Sequence, residues 1–168
     1  MAKIIWFTGL SGAGKTTISN RTKEYLKNKK CLIVDGDKFR KKYKQFSFSR
    51  KNIFKNNIKI INFCKKNFHK FDYILVSVIS PLKQTRLQAL KTFKKNYFEI
   101  YVFANRKVLM KRDTKGLYKL SKKGLIKNLI GFNSKIIYEK SDHKHLRINT
   151  KIHNVIECVK KVLNYVEN

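Results

Sequence analysis

The chain has 168 residues, 42% of them hydrophobic, which suits one globular domain with an ordinary core. No apolar run approaches the ~20 residues that a membrane helix needs, and the short apolar N-terminus leads into a glycine-rich loop, so we predict a cytoplasmic protein. The formal net charge of +30 favours an anionic substrate. Because the lysines are spread along the whole chain, specific nucleic-acid binding is disfavoured.

Strand and helix patterns alternate along the chain. In chain order they predict strand Lys3–Thr8, helix Thr16–Asn28, strand Cys31–Val34, helix Lys51–Phe68, strand Tyr73–Ile79, helix Lys83–Lys95, strand Glu99–Phe103, a short helix from Val108, a weak strand Leu146–Asn149 and helix His153–Val166. Near-continuous apolar strands that alternate with helices predict an α/β fold, a doubly wound parallel sheet with helices on both faces. No linker divides the chain, so residues 1–168 are predicted to form one domain.

A glycine-rich loop joins the first predicted strand to the first helix and matches the phosphate-binding pattern G-x-x-x-x-G-K-[ST]. Its glycines allow successive N–H groups to point inward as an anion nest, and the following helix adds its positive end. Lys15 is expected to reach the β- and γ-phosphates, and the Thr16 hydroxyl to bind Mg²⁺. The residues predicted to bind ATP are Gly9, Leu10, Ser11, Gly12, Ala13, Gly14, Lys15 and Thr16.

Two aspartates follow the second predicted strand. The third strand ends without the aspartate that many nucleotide hydrolases use on Mg²⁺, and the chain lacks a guanine-reading N-K-x-D motif. Asp35 and Asp37 are the candidate carboxylates, because the carboxyl ends of neighbouring parallel strands meet at one crevice. The alternative is a plain Asp-Gly turn, which is common. The pair stands out in a chain with 10 acidic residues, and it favours a small-molecule kinase over a GTPase.

Several further motifs, taken in this order, resemble the adenylylsulfate kinase (APS kinase) family over nearly the whole chain. The matching segments are Ile5–Thr16, Val34–Arg40, Phe48–Ser49, Ile79–Pro81 with Arg86, Arg112–Lys119, and Ile126–Asn128 with Gly131. The resemblance implies transfer of phosphate from ATP to the ribose 3′-hydroxyl of adenylylsulfate, a step of sulfate activation and assimilation. A homodimer is implied by the resemblance alone.

The resemblance also implies roles on the acceptor side. Asp37 is expected to organise Mg²⁺ and the attacking hydroxyl, with support from Asp35. Arg40 is expected to bind the phosphosulfate group, and Phe48 to stack on the base. The remaining implied contacts of the acceptor are Asn56, Ile79, Ser80, Lys119, Lys127 and Leu129. Ser80 matches a phosphoserine position of the family, although phosphoryl transfer depends on positioning and charge neutralisation more than on covalent help.

Residues at about 112–134 are polar and contain glycines, which predicts a mobile lid whose lysines descend on the phosphates. Most lysines of such a run are expected to face solvent. By resemblance, Lys119 and Lys127 are the ones that contact substrate. Arg112 is expected to stack on the adenine of ATP, as planar guanidinium groups do.

Two positions depart from the family pattern, both on the acceptor side. Ile53 stands where the family has a substrate-binding arginine, and Leu129 replaces a phenylalanine that sandwiches the adenine. Loss of one stacking partner costs ~1–3 kcal/mol. The alternative is therefore that the enzyme phosphorylates a different nucleotide conjugate, such as a cytidine diphosphate derivative in surface-polysaccharide modification. A non-catalytic nucleotide- or nucleic-acid-binding module is disfavoured by the intact Lys15, Asp35 and Asp37.

Overall fold

The sheet has five parallel strands in a computed structural model that describes residues 1–43 and 48–168. The strands are β1 (Lys3–Thr8), β2 (Cys31–Asp35), β3 (Tyr73–Ser77), β4 (Tyr97–Phe103) and β5 (Leu146–Asn149). Their order across the sheet is β2-β3-β1-β4-β5. β1 pairs with both β3 and β4 and is therefore the central strand of the sheet. The predicted parallel α/β sheet is therefore confirmed.

Seven α-helices are described: α1 (Lys15–Tyr25), α2 (Gly36–Lys42), α3 (Arg50–Asn67), α4 (Lys83–Phe93), α5 (Arg106–Arg112), α6 (Leu117–Lys122) and α7 (Val155–Glu167). Five of them correspond to predicted helices with shifted ends, whereas α2 and α6 were not predicted. Across residues 1–43 and 48–168, no helix combines the length and the apolar character that a membrane crossing requires.

Side chains of β1 alternate between two buried layers. Ile5 and Phe7 point to one face of the sheet, and Ile4 and Trp6 point to the other. The first face packs against apolar residues of α1 and α7, namely Ile18, Cys158, Val159 and Val162. The second packs against α3 and α4 through Ile60, Ile61, Cys64 and Ala89. Because both faces are covered, the inner positions of the central strands β1 and β3 are apolar on both sides, which explains the continuous apolar runs of the sequence.

The Asp-Gly-Asp segment begins a helix and is not a plain turn. Asp35 is the N-cap of α2, and its Oδ1 accepts hydrogen bonds from the backbone N–H groups of Asp37 (3.0 Å) and Lys38 (3.1 Å). Such a cap satisfies donors that the first turn of a helix leaves unpaired. The sequence contained this signal, an N-cap aspartate followed by an acidic first turn and a basic last turn. The helix presents Asp37 and Arg40 at the carboxyl end of the sheet.

Candidate active site

A cavity of about 610 Å³ lies where the carboxyl ends of the central strands meet the lid. This volume is typical of small-molecule sites. Thirteen of the predicted site residues line it: Ser11, Gly12, Gly14, Lys15, Thr16, Asp35, Asp37, Arg40, Phe48, Ile79, Ser80, Arg112 and Leu129. Residues from the phosphate loop to the lid thus meet at one concave surface, as the crevice of a parallel sheet requires.

The phosphate loop prepares an anion site at the start of α1. Gly14 is the N-cap of this helix with a φ of 99°, a left-handed conformation that favours glycine, and it has no side chain to occupy the first N–H groups. Lys15 is 9% exposed and donates a hydrogen bond from Nζ to the Leu10 carbonyl at 2.8 Å. Burial, followed by repulsion from Lys115, lowers the pKa of Lys15 to about 8. An anion in the loop would supply the negative charge that the buried ammonium lacks.

The two aspartates have different partners. Thr16 Oγ1 donates a hydrogen bond to Asp35 Oδ2 at 3.1 Å, so the hydroxyl predicted to bind Mg²⁺ lies beside Asp35. The Asp37 side chain is 59% exposed and forms an ion pair with Lys115 of the lid. The described residues contain no cluster of three or more His, Cys, Asp and Glu that could hold a metal by themselves. The few oxygen donors present, the Thr16 hydroxyl and the two aspartate carboxylates, fit Mg²⁺, which binds through one or two carboxylates together with substrate phosphates.

The lid lies directly on the phosphate loop in this structure. Tyr118 of α6 is buried and donates its hydroxyl proton to the Ser11 carbonyl at 3.0 Å. Arg112, at the end of α5, donates from Nη1 to Thr150 Oγ1 at 2.8 Å. Thr150 Oγ1 in turn lies 3.0 Å from the Ala13 carbonyl. Thr150 and Tyr118 were not predicted as site residues, although Thr150 directly follows β5, where a parallel strand meets the crevice.

Comparison with known proteins agrees with the motifs over most of the chain. The model of the adenylylsulphate kinase family matches residues 1–149. The adenylyl-sulfate kinase of Clostridium kluyveri is 32% identical over 166 residues, which cover 97% of this chain and 82% of that protein. The adenylyl-sulfate kinase of Prochlorococcus marinus is 35% identical over 165 residues, covering 96% and 81%. The chain belongs to the adenylylsulfate kinase family.

Solved structures agree with this family assignment. A Mycobacterium tuberculosis APS kinase in complex with AMPPNP and APS superposes with a TM-score of 0.90 at 26% identity, covering 99% of this chain and 98% of that one. A shikimate kinase from Aquifex aeolicus superposes with a TM-score of 0.57 at 18% identity and shares the fold alone. The structure thus has the P-loop kinase architecture expected of an adenylylsulfate kinase.

The part of the cavity that the sequence predicts to bind the acceptor combines the Arg40 guanidinium with an apolar wall. The Arg40 guanidinium lies 4.6 Å from the centre of the Phe48 ring, and burial lowers the pKa of Arg40. Ile53 lines the cavity and is buried with Leu82 and Ile130. Leu129 is also buried at this wall. Ile53 and Leu129 are therefore packed aliphatic side chains, and they make this part of the cavity wall apolar.

Three predicted acceptor residues do not line the cavity. Asn56 is buried in α3 without reaching it, and the neighbouring Asn57 lines it instead. Asn57 donates its Nδ2 to the Ile53 carbonyl at 2.9 Å. Lys119 and Lys127 are exposed on the lid, and their substrate contacts stay predictions. A helix places only one of two neighbouring residues on a given face. The motif alone did not decide which of Asn56 and Asn57 faces the cavity.

Proposed function

We propose that the protein transfers the γ-phosphoryl group of ATP to the ribose 3′-hydroxyl of adenylylsulfate and so forms 3′-phosphoadenylylsulfate. One observation carries the proposal. A single cavity joins the phosphate loop, with Lys15 and Thr16, to a carboxylate and a cation on the acceptor side, Asp37 and Arg40. Relatives named adenylyl-sulfate kinase, and a similar structure that binds AMPPNP and APS, support this acceptor.

The donor half of the reaction rests on charge neutralisation. The N–H groups at the start of α1 and the Lys15 ammonium would hold the β- and γ-phosphates. Thr16 Oγ1 and the aspartates would hold Mg²⁺, which supplies positive charge to the phosphate oxygens. Docking of the lid through Tyr118 excludes water from this space, which protects the γ-phosphoryl group from hydrolysis.

The acceptor half needs a base and an oriented hydroxyl. The substrate O3′ forms a bond to the γ-phosphorus, the bond from that phosphorus to the bridging oxygen breaks, and the hydroxyl proton passes to an Asp37 oxygen. Asp37 is paired with Lys115 here, so Lys115 has to leave this carboxylate when substrates enter. The triphosphate is a stronger anion than a single carboxylate and offers Lys115 a nearby alternative.

Turnover of adenylylsulfate tests the proposal directly. The assay follows ADP release with ATP, Mg²⁺ and adenylylsulfate, and identifies the phosphorylated product by mass. Lys15→Ala is expected to abolish turnover. Lys23→Ala, which removes an exposed lysine from the outer side of α1, is the matched control and is expected to keep full activity. Absence of turnover in the folded wild-type protein would contradict the proposed acceptor.

The apolar acceptor wall favours a second candidate, the same transfer to a different nucleotide conjugate such as a cytidine diphosphate derivative. The supporting observation is that Ile53 is packed against Leu82 and Ile130, where the family has a substrate-binding arginine. Competing acceptors supplied together separate the two candidates. Leu129→Phe adds a further test. If adenine binds at this wall, the new ring should lower the KM for adenylylsulfate by roughly 5- to 150-fold, since stacking contributes ~1–3 kcal/mol per base.

We further propose that the enzyme acts as a homodimer in the cytoplasm. The proposed dimer rests on the resemblance to the family. The proposed location rests on the supply of ATP in the cytoplasm. Light scattering coupled to gel filtration measures the mass of the particle against the 19.9 kDa chain. A mass of one chain at the assay concentration would contradict the dimer.

A further inference from the structure

A buried ion pair lies behind the acceptor side of the cavity. The Arg86 side chain of α4 and the Glu99 side chain of β4 are 0% and 1% exposed, and Arg86 Nε lies 3.2 Å from Glu99 Oε1. Glu99 Oε2 also accepts a hydrogen bond from the Tyr97 hydroxyl at 3.2 Å and lies 2.9 Å from His143 Nε2. Well-packed apolar residues can often replace such a pair without loss of stability, so its presence calls for a role other than stability.

The other donors of Arg86 fix backbone near the cavity. Nη1 donates to the Ser80 carbonyl at 2.6 Å, and Nη2 donates to the Glu139 carbonyl. Nε also lies 2.9 Å from Ser141 Oγ, and the guanidinium lies 4.9 Å from the centre of the Tyr138 ring. One guanidinium therefore joins the loop after β3 to the segment that runs toward β5. The rigid fork of an arginine suits this task better than the single ammonium of a lysine.

Ser80 adopts a backbone conformation that needs such support. Its φ is 44°, in the left-handed region that non-glycine residues rarely adopt. Conformations of this kind persist only where the surroundings determine them. The residue before it is also held, because Thr8 Oγ1 donates to the Ile79 carbonyl at 2.6 Å and lies 2.8 Å from the Tyr138 hydroxyl. Thr8 ends β1, so these bonds connect the Ile79–Ser80 backbone to the start of the phosphate loop.

We propose that Arg86 is a positioning residue for the acceptor: with Glu99 as its counter-ion, it holds the Ile79–Ser80 backbone at the distance from the phosphate loop that the transfer requires. The inference rests on the proposed kinase function, in which Ile79 and Ser80 contact the acceptor. Both residues line the cavity, whereas Arg86 is behind it and does not itself contact the ligand space. Its effect is therefore transmitted through the Ser80 carbonyl.

The test uses variants that separate positioning from folding. Arg86→Leu alone leaves Glu99 buried without its counter-ion and is expected to unfold. The double variant Arg86→Leu/Glu99→Leu removes both charges, and Arg86→Lys keeps the charge but loses the fork. For both, we expect the KM for the acceptor to rise about tenfold or more, the loss of one hydrogen bond from a charged donor, while the KM for ATP changes less than about twofold. Arg21→Leu/Glu24→Leu, which removes an exposed ion pair on α1, is the matched control.

Two kinetic outcomes would overturn the proposal. One is a folded double variant with the wild-type KM for the acceptor, and the other is an equal rise in both KM values. Amide hydrogen exchange of residues 79–84 is a readout that needs no acceptor, and it is expected to accelerate in both Arg86 variants but not in the control. Unchanged exchange would also refute the role of Arg86. If the wild-type protein turns over another nucleotide conjugate instead of adenylylsulfate, the proposed function fails, and the same KM comparison with that conjugate still decides the role of Arg86.

Discussion

Raising the pH from 7 to 9 is expected to weaken ATP binding through a single lysine. In the free protein, burial and then the charge of Lys115 lower the pKa of Lys15 to about 8, against the opposing attraction of Asp37 and Asp35. Bound phosphates favour the ammonium form and keep it protonated over this range. The protonated fraction of free Lys15 falls from about 0.9 at pH 7 to about 0.1 at pH 9, so the affinity falls about tenfold, or ~1.4 kcal/mol.

Titration calorimetry measures both the affinity and the protons exchanged. At pH 8, binding should take up about half a proton per ATP, which appears as a dependence of the measured heat on the ionisation enthalpy of the buffer. Lys15→Met is the reference that contains the ionisation of ATP itself but not that of the lysine. Equal pH slopes for the wild-type protein and Lys15→Met would refute the assignment of the titrating group to Lys15.

The remaining predictions concern stability, the base, the serine and the lid. The pKa of Lys15 is lower in the folded chain than its ordinary value of 10.5, so the unfolded chain binds more protons between pH 8 and 10.5, and stability rises with pH in this window. At pH 7 without ATP, Lys15→Met should therefore gain up to ~3 kcal/mol of unfolding free energy. Denaturant melts measure this, and a loss of stability would contradict the sign. Asp37→Asn should lower kcat by about 10²- to 10⁴-fold, because the substrate hydroxyl loses its proton acceptor. Steady-state kinetics measure this, and an unchanged kcat would exclude Asp37 as the base. Ser80→Ala should keep kcat within about threefold, because the buried hydroxyl makes one weak contact, 3.3 Å to Thr85 Oγ1. If phosphorylation of Ser80 were obligatory, the same variant would lose all turnover in this assay. Gly131→Ala should lose about 1 kcal/mol more stability than Gly124→Ala in thermal melts. Both glycines have positive φ, but a Cβ at Gly131 would meet Leu10 Cδ1 at 2.5 Å and force that side chain to shift, whereas one at Gly124 meets nothing within 4 Å. Equal losses would argue against crowding.

Sequence patterns predicted the sheet because its strands are buried on both faces. Lys3–Thr8 and Leu146–Asn149 were predicted with the bounds of β1 and β5. The missed helix α2 had an N-cap signal at Asp35, but its aspartates were interpreted by their chemistry and not by their backbone geometry. The sequence of helix α6 has little apolar periodicity. The helix is stabilised instead by the contacts of the lid with the phosphate loop. Local patterns do not contain such long-range contacts.

The site was predictable where one segment builds it. The phosphate loop from Gly9 to Thr16 is contiguous, so its candidate residues could be named from the motif. Five of the eight line the cavity, whereas Gly9, Leu10 and Ala13 do not. The acceptor side joins four separate segments, and small shifts of register decide which side chain faces inward, as with Asn57 in place of Asn56. The pairing of Lys115 with Asp37 links positions far apart in sequence, and no spacing rule selects one lysine from the many in the lid.

The short lid helix α6 has a thermodynamic consequence for each catalytic cycle. It spans only Leu117–Lys122, and its first turn depends on the Asp113 carboxylate, which accepts from the N–H groups of Tyr118 (3.0 Å) and Lys119 (2.9 Å). A helix of this length does not persist in water by itself. Release of Tyr118 from Ser11 should therefore melt the helix, and closing it again orders six residues at an entropic cost of roughly 6 kcal/mol or more. In the proposed cycle, the contacts of the docked lid and of the bound substrates together offset this cost, and we expect lid closure to be the most temperature-dependent step.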